Sequence, residues 1–234
     1  MLLSMSEPHI LITGASKGIG YQTALELSKR GCMVSAVARS ADRLEELESN
    51  SPDQIKAYPA DLSKPEQIAD LCVKVSSRGP VDVVIHNAAG FISKRFEELT
   101  DDDWYELIEI NLMASVRLYR NILPHMKPES HLVTVGSMGG YMGSAKFGGL
   151  SAYSTTKGAL TTLSECLAVE LKDRGISSNC LCLGAVQTEM FEMAFPEQQA
   201  PVSSADMGNF IADFAINGQK LFNGKVLPVA LRDP

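Results

Sequence analysis

The chain has 234 residues, of which 45% are hydrophobic and 21% are charged, and its formal net charge is −7. This composition is typical of one globular domain with a large core, whereas the acidic balance argues against a nucleic-acid-binding protein. No apolar run reaches the roughly 20 residues that span a bilayer, and the first eight residues lack the apolar core of a signal peptide, so we expect no membrane segment.

Apolar runs alternate with amphipathic segments along the whole chain. The predicted strands are 9–13, 33–38, 54–58, 81–85, 131–135, 178–183 and 225–230. Helical patterns lie between them; the longest runs from the cap residue Thr100 to about Pro124. Such alternation predicts an α/β fold with three layers, in which helices cover both faces of a parallel sheet of about seven strands. We expect a single domain over residues 1–234, with 189–203 as a lid over the substrate.

Three glycines, Gly14, Gly18 and Gly20, directly follow the first predicted strand. Glycine lets the backbone turn tightly and approach a pyrophosphate, which binds at the N-terminus of the following helix. The spacing differs from the usual Gly-x-Gly-x-x-Gly fingerprint, and a glycine-rich turn can also be purely structural. Its place after the opening strand favours nucleotide binding.

The end of the second strand distinguishes between the two nicotinamide cofactors. An acidic residue there would select NAD, whereas an arginine accommodates the 2′-phosphate of NADP. This chain has Arg39 and no acid, and Lys17 in the glycine turn adds a second positive charge. We therefore predict NADP(H) over NAD(H); the alternative is that both are solvated surface charges.

Tyr153 and Lys157 are four residues apart, and this spacing places them on one face of a helix. A free phenol ionises near pH 10, and a cation held beside it favours the phenolate. The spacing alone is weak evidence, because most such pairs are a core aromatic residue and a solvated lysine.

Several short motifs follow one another in a recognisable order. They are Thr13-Gly-Ala-Ser-Lys-Gly-Ile-Gly20, Asp61-Leu62, His86-Asn87-Ala88-Ala89-Gly90, Asn111, Ser137, Tyr153-x-x-x-Lys157 and Gly184-Ala-Val-Gln-Thr188. Over nearly the whole chain this order resembles the short-chain dehydrogenase/reductase family. The resemblance implies a Rossmann fold and hydride transfer between a nicotinamide cofactor and a carbonyl or alcohol group.

The resemblance also implies catalytic roles for four residues. Tyr153 would be the general acid in reduction, and Lys157 would hold the nicotinamide ribose and lower the tyrosine pKa. Ser137 would hydrogen-bond the substrate carbonyl, and Asn111 would hold a water that links Lys157 to solvent. The loop from Ser137 to Tyr153 is longer than usual, and its Ser144 and Ser151 are alternatives to Ser137.

Cofactor contacts are implied along the carboxyl ends of the strands. They are Gly14, Ser16, Lys17, Gly18, Ile19, Gly20, Arg39, Asp61, Leu62, Asn87, Ala88, Tyr153, Lys157, Gly184, Val186 and Thr188. Two positions depart from the family pattern. His86 replaces an asparagine, so we expect altered hydrogen bonding there, and Leu183 replaces a proline, which predicts a looser loop after it.

Substrate identity is poorly encoded in the sequence. An apolar pocket is expected from Phe91, Met138, Tyr141, Phe147 and residues 190–195, and Lys94, Arg95 and Lys146 offer a weaker case for an acidic or carrier-bound substrate. The five cysteines lack a Cys-x-x-Cys motif and indicate reduced core residues in the cytoplasm. We expect no metal, and the helices resemble those that pair family members into homodimers or homotetramers.

The sequence thus predicts an NADP(H)-dependent oxidoreductase that reduces a ketone or aldehyde reversibly. The 3-oxoacyl-carrier-protein reductases are the nearest subclass in length. Two alternatives stay open. One is a nucleotide-binding sensor or scaffold without redox turnover, and the other is a non-redox lyase or isomerase on the same fold.

Overall fold

The computed structural model describes residues 7–231 and is built on a seven-stranded sheet. Its strands are β1 (His9–Thr13), β2 (Met33–Ala38), β3 (Ile55–Pro59), β4 (Val81–His86), β5 (Met126–Ser137), β6 (Ser177–Leu183) and β9 (Val226–Val229). They lie in the order β3-β2-β1-β4-β5-β6-β9, and every neighbouring pair is parallel. The remaining two strands, β7 (Val186–Gln187) and β8 (Val202–Ser203), pair with each other outside this sheet.

Helices cover both faces of the sheet. They are α1 (Gly18–Lys29), α2 (Ala41–Ser49), α3 (Pro65–Ser76), α4 (Asp101–Leu107), α5 (Ala114–Ile122), α6 (Ser151–Glu170), α7 (Glu189–Ala194) and α8 (Ser204–Asn217). One apolar core joins the sheet to α1, α2 and α8, and a second joins the opposite face to α3, α5 and α6. The predicted three-layer α/β Rossmann fold is therefore confirmed.

Strand β1 shows why the strands appear in the sequence as continuous apolar runs. Its side chains alternate between the two cores: Ile10 and Ile12 enter one, and Leu11 enters the other. A central parallel strand is covered on both faces, so both sets of side chains must be apolar. All five residues of β1 are buried.

The strand boundaries differ from prediction most at β5. Strand β3 begins one residue later than predicted, and β5 begins at Met126 instead of residue 131. The extra part of β5 is irregular: its register with β4 shifts near Val81, and Glu129 has a φ of 70°. This polar stretch has none of the apolar pattern by which strands are recognised.

The long helix predicted after Thr100 forms, but it is not uniformly α-helical. Between α4 and α5, the residues Ile108–Met113 form a π-helical turn that contains the buried Asn111. Such a turn holds an extra residue, and hydrophobic periodicity does not reveal it. The segment predicted as a lid, residues 189–203, contains helix α7 and strand β8.

The strand order reverses direction between β1 and β4. From β1 the chain proceeds outward to β2 and β3, and then it returns to β4 and continues to the opposite edge. The carboxyl ends of β1 and β4 therefore flank the switch point, and open α/β sheets bind ligands in the crevice outside it.

Candidate active site

The glycine turn after β1 is shaped by close backbone contacts. Gly14 and Gly18 have φ values of 68° and 56°, a region that favours glycine. A Cβ atom on Gly20 would lie 2.3 Å from the Gly14 carbonyl oxygen and 2.5 Å from Nδ2 of Asn87. No side chain fits at Gly20, so the start of α1 approaches the end of β1 at backbone distance.

Thr13 joins this turn to the loop after β4. Its Oγ1 accepts hydrogen bonds from the backbone N–H groups of Asn87 and Ala88, each at 3.1 Å. The Asn87 side-chain amide donates back to the carbonyl oxygens of Thr13 and Gly14 at 3.1 and 3.2 Å. Asn87 and Ala88 therefore lie against the glycine turn, and their contact with the cofactor stays a prediction. Thr13 itself was not among the predicted site residues.

His86, which stands where the family pattern has an asparagine, is the buried last residue of β4. Its Nδ1 lies 3.4 Å from Thr13 Oγ1, whereas its Nε2 is buried without a partner among the described residues. Burial, followed by the nearby Lys157 charge, lowers the pKa of His86 to about 3. The imidazole is therefore neutral at physiological pH.

A cluster of cations lies beside the glycine turn. Lys17 projects from the turn, and its ammonium pairs with the carboxylate of Glu189. Arg43, in the first turn of α2, approaches the same carboxylate at 3.6 Å. Sequence reasoning missed Arg43 and Glu189; the only signal was that Arg43 lies four positions after Arg39, at the start of the next helix.

The predicted adenine side of the crevice contains Arg39 and Asp61, which follow β2 and β3. The Ser63 backbone N–H is the main group that lowers the pKa of the Asp61 carboxyl, and the Arg39 guanidinium lowers it further. Ser63 N–H donates to Asp61 Oδ1 at 2.9 Å, so the carboxylate is held within its own loop. Leu62 is buried in the core, and its side chain supports this loop.

Lys157 is buried beneath the carboxyl end of β5. Its Nζ donates a hydrogen bond to the Val135 carbonyl oxygen at 2.9 Å and lies 5.9 Å from the centroid of the Tyr153 ring. Burial lowers the pKa of Lys157 to about 8. The predicted pair on one face of a helix is therefore present, and the lysine is not a solvated one.

The expected effect of this lysine on Tyr153 is not observed in the described chain. The ring keeps some exposed surface, but desolvation of the phenol raises the pKa of Tyr153 to about 12, and the Ser137 hydroxyl opposes that shift. Ser137, the last residue of β5, also accepts from Gly139 N–H at 3.1 Å.

The Asn111 side chain connects the loop after β4 to helix α6. Its Oδ1 accepts from Gly90 N–H at 2.7 Å, and its Nδ2 donates to the Gly90 carbonyl at 3.2 Å and to Thr156 Oγ1 at 3.0 Å. Both amide hydrogens are thus used within the protein. The Thr156 hydroxyl in turn donates to the Tyr153 carbonyl at 2.8 Å, so Asn111 is connected to the turn of α6 that carries Tyr153.

Aromatic rings pack against Tyr153 and against one another in the loop after β5 and the segment after β6. Phe91 packs edge-on against Tyr153, with 5.2 Å between ring centroids. Phe195, which directly follows α7, contacts Phe147 at 5.4 Å and Phe191 at 5.3 Å. These residues support the predicted apolar wall and connect the loop after β5 to the segment predicted as a lid.

Other predicted substrate residues have different roles. Met138 does not line the pocket, because it is buried in a small core with Cys180 and Cys182. The Ser144 hydroxyl is engaged by backbone carbonyls of its own loop. Lys94 is neutralised by Asp103 at 2.7 Å, which weakens the case for an acidic substrate.

The segment after β6 closes the crevice from the other side. Gly184 N–H donates to the Val229 carbonyl at 2.9 Å, so the loop predicted to be loose after Leu183 is tied to β9. Val186 is buried, and Thr188 caps α7 by accepting from Phe191 N–H at 3.2 Å. A Cβ on Gly18 would lie 3.4 Å from Cγ2 of Thr188, so this segment reaches the glycine turn.

These residues fit a dinucleotide. The glycine turn exposes the start of α1, and a carboxylate already occupies the cationic cluster beside it, which shows that an anionic group can be held there. Ser16 and Ile19 belong to the same turn and helix start. No group of three potential metal-binding side chains occurs in residues 7–231, and none of the helices described there is long and apolar enough to cross a bilayer.

Known proteins resemble this chain over most of its length. The family model described as short chain dehydrogenase matches residues 8–199. The 3-oxoacyl-(acyl-carrier-protein) reductase FabG of Escherichia coli is 28% identical over 232 residues, which cover 94% of each chain.

Solved structures agree with this match. The protein ElxO with NADP bound is 27% identical, with a TM-score of 0.86 over 96% of this chain and 97% of that one. A 3-ketoacyl-(acyl-carrier-protein) reductase from Brucella melitensis complexed with NADH shares the fold at 22% identity and a TM-score of 0.84, over 95% and 96% of the two chains. The chain is therefore an oxidoreductase of the short-chain dehydrogenase/reductase family.

Proposed function

We propose that this chain is an NADP(H)-dependent reductase of a ketone or aldehyde and that the reaction is reversible. The observation that carries the proposal is the meeting of Tyr153, Ser137 and Lys157 at the carboxyl end of β5. The crevice beside them has the glycine turn and cations suited to a dinucleotide.

When bound, the reduced nicotinamide supplies the hydride. The protein acts on the carbonyl oxygen, where negative charge develops. Hydroxyl donors at Ser137 and Tyr153 stabilise that charge, and loss of one such donor typically lowers turnover by about 10²–10³-fold. Tyr153 also delivers the proton from its Oη, and in the reverse direction it accepts one.

Lys157 is the third residue of the proposed catalytic group. Its ammonium is held by the Val135 carbonyl and lies beside the tyrosine ring. In the proposed complex it also holds the nicotinamide ribose. Its lowered pKa lets it exchange a proton near neutral pH, so it serves as a proton reservoir for the phenol.

The proposed cofactor is NADP(H), preferred over NAD(H). Arg39 directly follows β2, at the position where an acid would bind a ribose 2′-hydroxyl, and Lys17 and Arg43 add positive charge nearby. Relatives with either cofactor exist, so this preference rests on the cations of this chain.

The proposed substrate is a small carbonyl compound with an apolar portion that packs against Phe91, Phe147 and Phe195. A 3-oxoacyl group is consistent with such a wall and with the similarity to FabG. Residues 189–203 form the proposed lid. We further propose a cytoplasmic homodimer or homotetramer without metal.

The test is Tyr153→Phe, which keeps the ring and removes the proton donor. We expect turnover to fall at least about a hundredfold with NADPH affinity nearly unchanged, because the phenol acts in the transition state. Turnover is followed by NADPH absorbance across a panel of ketones, aldehydes and 3-oxoacyl thioesters, and affinity by fluorescence titration.

Tyr105→Phe is the matched control, since it removes the same hydroxyl from an exposed side chain. Near-normal turnover of Tyr153→Phe would refute the assignment. NADPH binding by the wild type without turnover on any carbonyl compound would favour a sensor, and product formation without a change in NADPH would favour a lyase or isomerase.

A further inference from the structure

The carboxylate of Glu189 links three separate segments of the chain. Glu189 is the first residue of α7, and its two oxygens face Lys17 of the glycine turn and Arg43 of α2. All three side chains are about half exposed. The Lys17 ammonium, and secondly Arg43, lowers the pKa of Glu189, so the carboxylate is ionised at neutral pH.

These two cations lie where a phosphate of the proposed cofactor would bind. Lys17 is held between Gly14 and Gly18 by the turn after β1. Arg43 lies in the first turn of α2, four positions after Arg39, and Arg39 directly follows the strand that distinguishes the cofactors. An anion bound to both cations therefore occupies the region expected for the 2′-phosphate, and in this structure that anion is Glu189.

The segment around Glu189 also reaches the substrate side. Thr188 packs close to Gly18 and caps α7, and α7 carries Phe191 to its contact with Phe195. Phe195 in turn contacts Phe147 in the loop after β5. A movement of Glu189 would therefore also displace α7 and the phenylalanines that pack against it.

We propose that Glu189 competes with the cofactor's 2′-phosphate for Lys17 and Arg43 and thereby limits the preference for NADPH over NADH. This inference rests on the proposed function, because it assumes that NADPH binds in this crevice. When the phosphate binds, the carboxylate is displaced, and the start of α7 loses its attachment to the nucleotide side.

The size of the effect follows from the exposure of the pairs. Exposed ion pairs are weak and are screened by salt, so two of them change a binding constant by roughly fivefold at low ionic strength. NADH lacks the 2′-phosphate and does not need the same position, so its affinity stays within about twofold.

The experiment compares Glu189→Gln with Glu192→Gln. Glu192 lies on the same helix, but its carboxylate accepts from Gln187 Nε2 at 2.8 Å and does not pair with the cations. Both variants therefore remove one negative charge from α7. Dissociation constants for NADPH and NADH are measured by fluorescence titration at low and high salt.

We expect Glu189→Gln to bind NADPH about fivefold more tightly than the wild type at low salt, with a smaller gain at high salt. Glu192→Gln should match the wild type. In an Arg43→Gln background the gain from Glu189→Gln should shrink, because one of the contested cations is gone. Hydrogen exchange of the 189–195 amides should quicken in cofactor-free Glu189→Gln but not in Glu192→Gln.

Two outcomes overturn the inference. One is equal NADPH affinity in the two variants, and the other is an equal gain for NADPH and NADH. Either can occur in an active NADPH-binding enzyme, so the proposed function would stand. Failure of the wild type to bind NADPH would instead refute the proposed cofactor, and the role of Glu189 with it.

Discussion

The nucleotide side and the substrate side of the crevice are built in different ways. At the glycine turn, backbone atoms of β1, α1 and the loop after β4 approach so closely that Gly20 has no room for a Cβ. In the loop after β5, Met142 is 92% exposed and Gly148 has no atom within 4 Å of its ideal Cβ. The shape of the nucleotide side is therefore set by backbone contacts, whereas that of the substrate side is set by side-chain contacts.

This difference explains which ligand can be inferred. A nucleotide site formed by the backbone needs glycines at definite positions, and these are visible in any sequence. A pocket formed by Phe147, Phe195 and exposed loop residues depends on how side chains pack, and many different sequences can form a similar apolar surface. Cofactor class therefore follows from the chain more readily than substrate class.

The sharpest test of this contrast pairs Gly20→Ala with Gly148→Ala. A methyl group at Gly20 would meet the Gly14 carbonyl oxygen at 2.3 Å, and backbone atoms cannot move aside as a flexible side chain can. We expect the free energy of unfolding to fall by about 3 kcal/mol and NADPH affinity by at least a hundredfold.

Gly148→Ala makes the same chemical change in open space and at a negative φ. We expect stability and NADPH affinity close to those of the wild type. Urea unfolding and fluorescence titration measure both quantities. Equal effects of the two substitutions would contradict the proposed contrast between the two sides.

A second prediction concerns Lys157, which lies between the two sides. Its folded-state pKa of about 8 is below the value of about 10.4 for an unfolded chain. Between these pH values the unfolded chain binds a proton that the folded chain lacks, so this residue makes stability rise with pH. Below pH 8 the folded chain carries a buried ammonium at a cost of about 3 kcal/mol.

Lys157→Met should therefore abolish turnover and yet raise the free energy of unfolding by about 2–3 kcal/mol at pH 7. At pH 10 the gain should be small, since the wild-type lysine is then neutral when folded. Urea unfolding at both pH values checks this. Lys172→Met is the control on an exposed lysine, and a destabilised Lys157→Met at pH 7 would contradict the prediction.

The smallest effect concerns cofactor choice. Arg39→Asp should weaken NADPH binding about tenfold or more, because it removes a charged hydrogen bond to the 2′-phosphate and adds a like charge. NADH affinity on the same variant should hold or improve, since an acid can bind the ribose 2′-hydroxyl. An unchanged NADPH dissociation constant would refute the role of Arg39.

Much of the fold was predictable because its signals are local. Apolar strands and amphipathic helices alternate, and buried strands such as β1 and β2 began and ended where the pattern did. The polar start of β5 lacked that pattern. The π-helical turn around Asn111 was not predicted, because the segment after Thr100 was interpreted as one continuous helix.

The site was predictable where a motif fixed it and less so where distant residues meet. Tyr153, Lys157 and Asn87 lie where the resemblance placed them, although their roles remain predictions. Glu189 and Arg43 are far apart in the chain, so no spacing rule links them. The rise in the Tyr153 pKa was also missed, because desolvation depends on the whole surrounding structure.

The all-parallel sheet has a consequence for how the chain folds. The sheet contains no hairpin. Residues that pair between adjacent strands are far apart in sequence, such as Val34 with Ile55 and Ile10 with Val83. Such non-local pairing makes folding slow. The contacts of Thr13 with the loop after β4 form only when β1 and β4 meet, so the nucleotide turn is completed late. A ligand of that turn stabilises the finished fold and does not speed its formation.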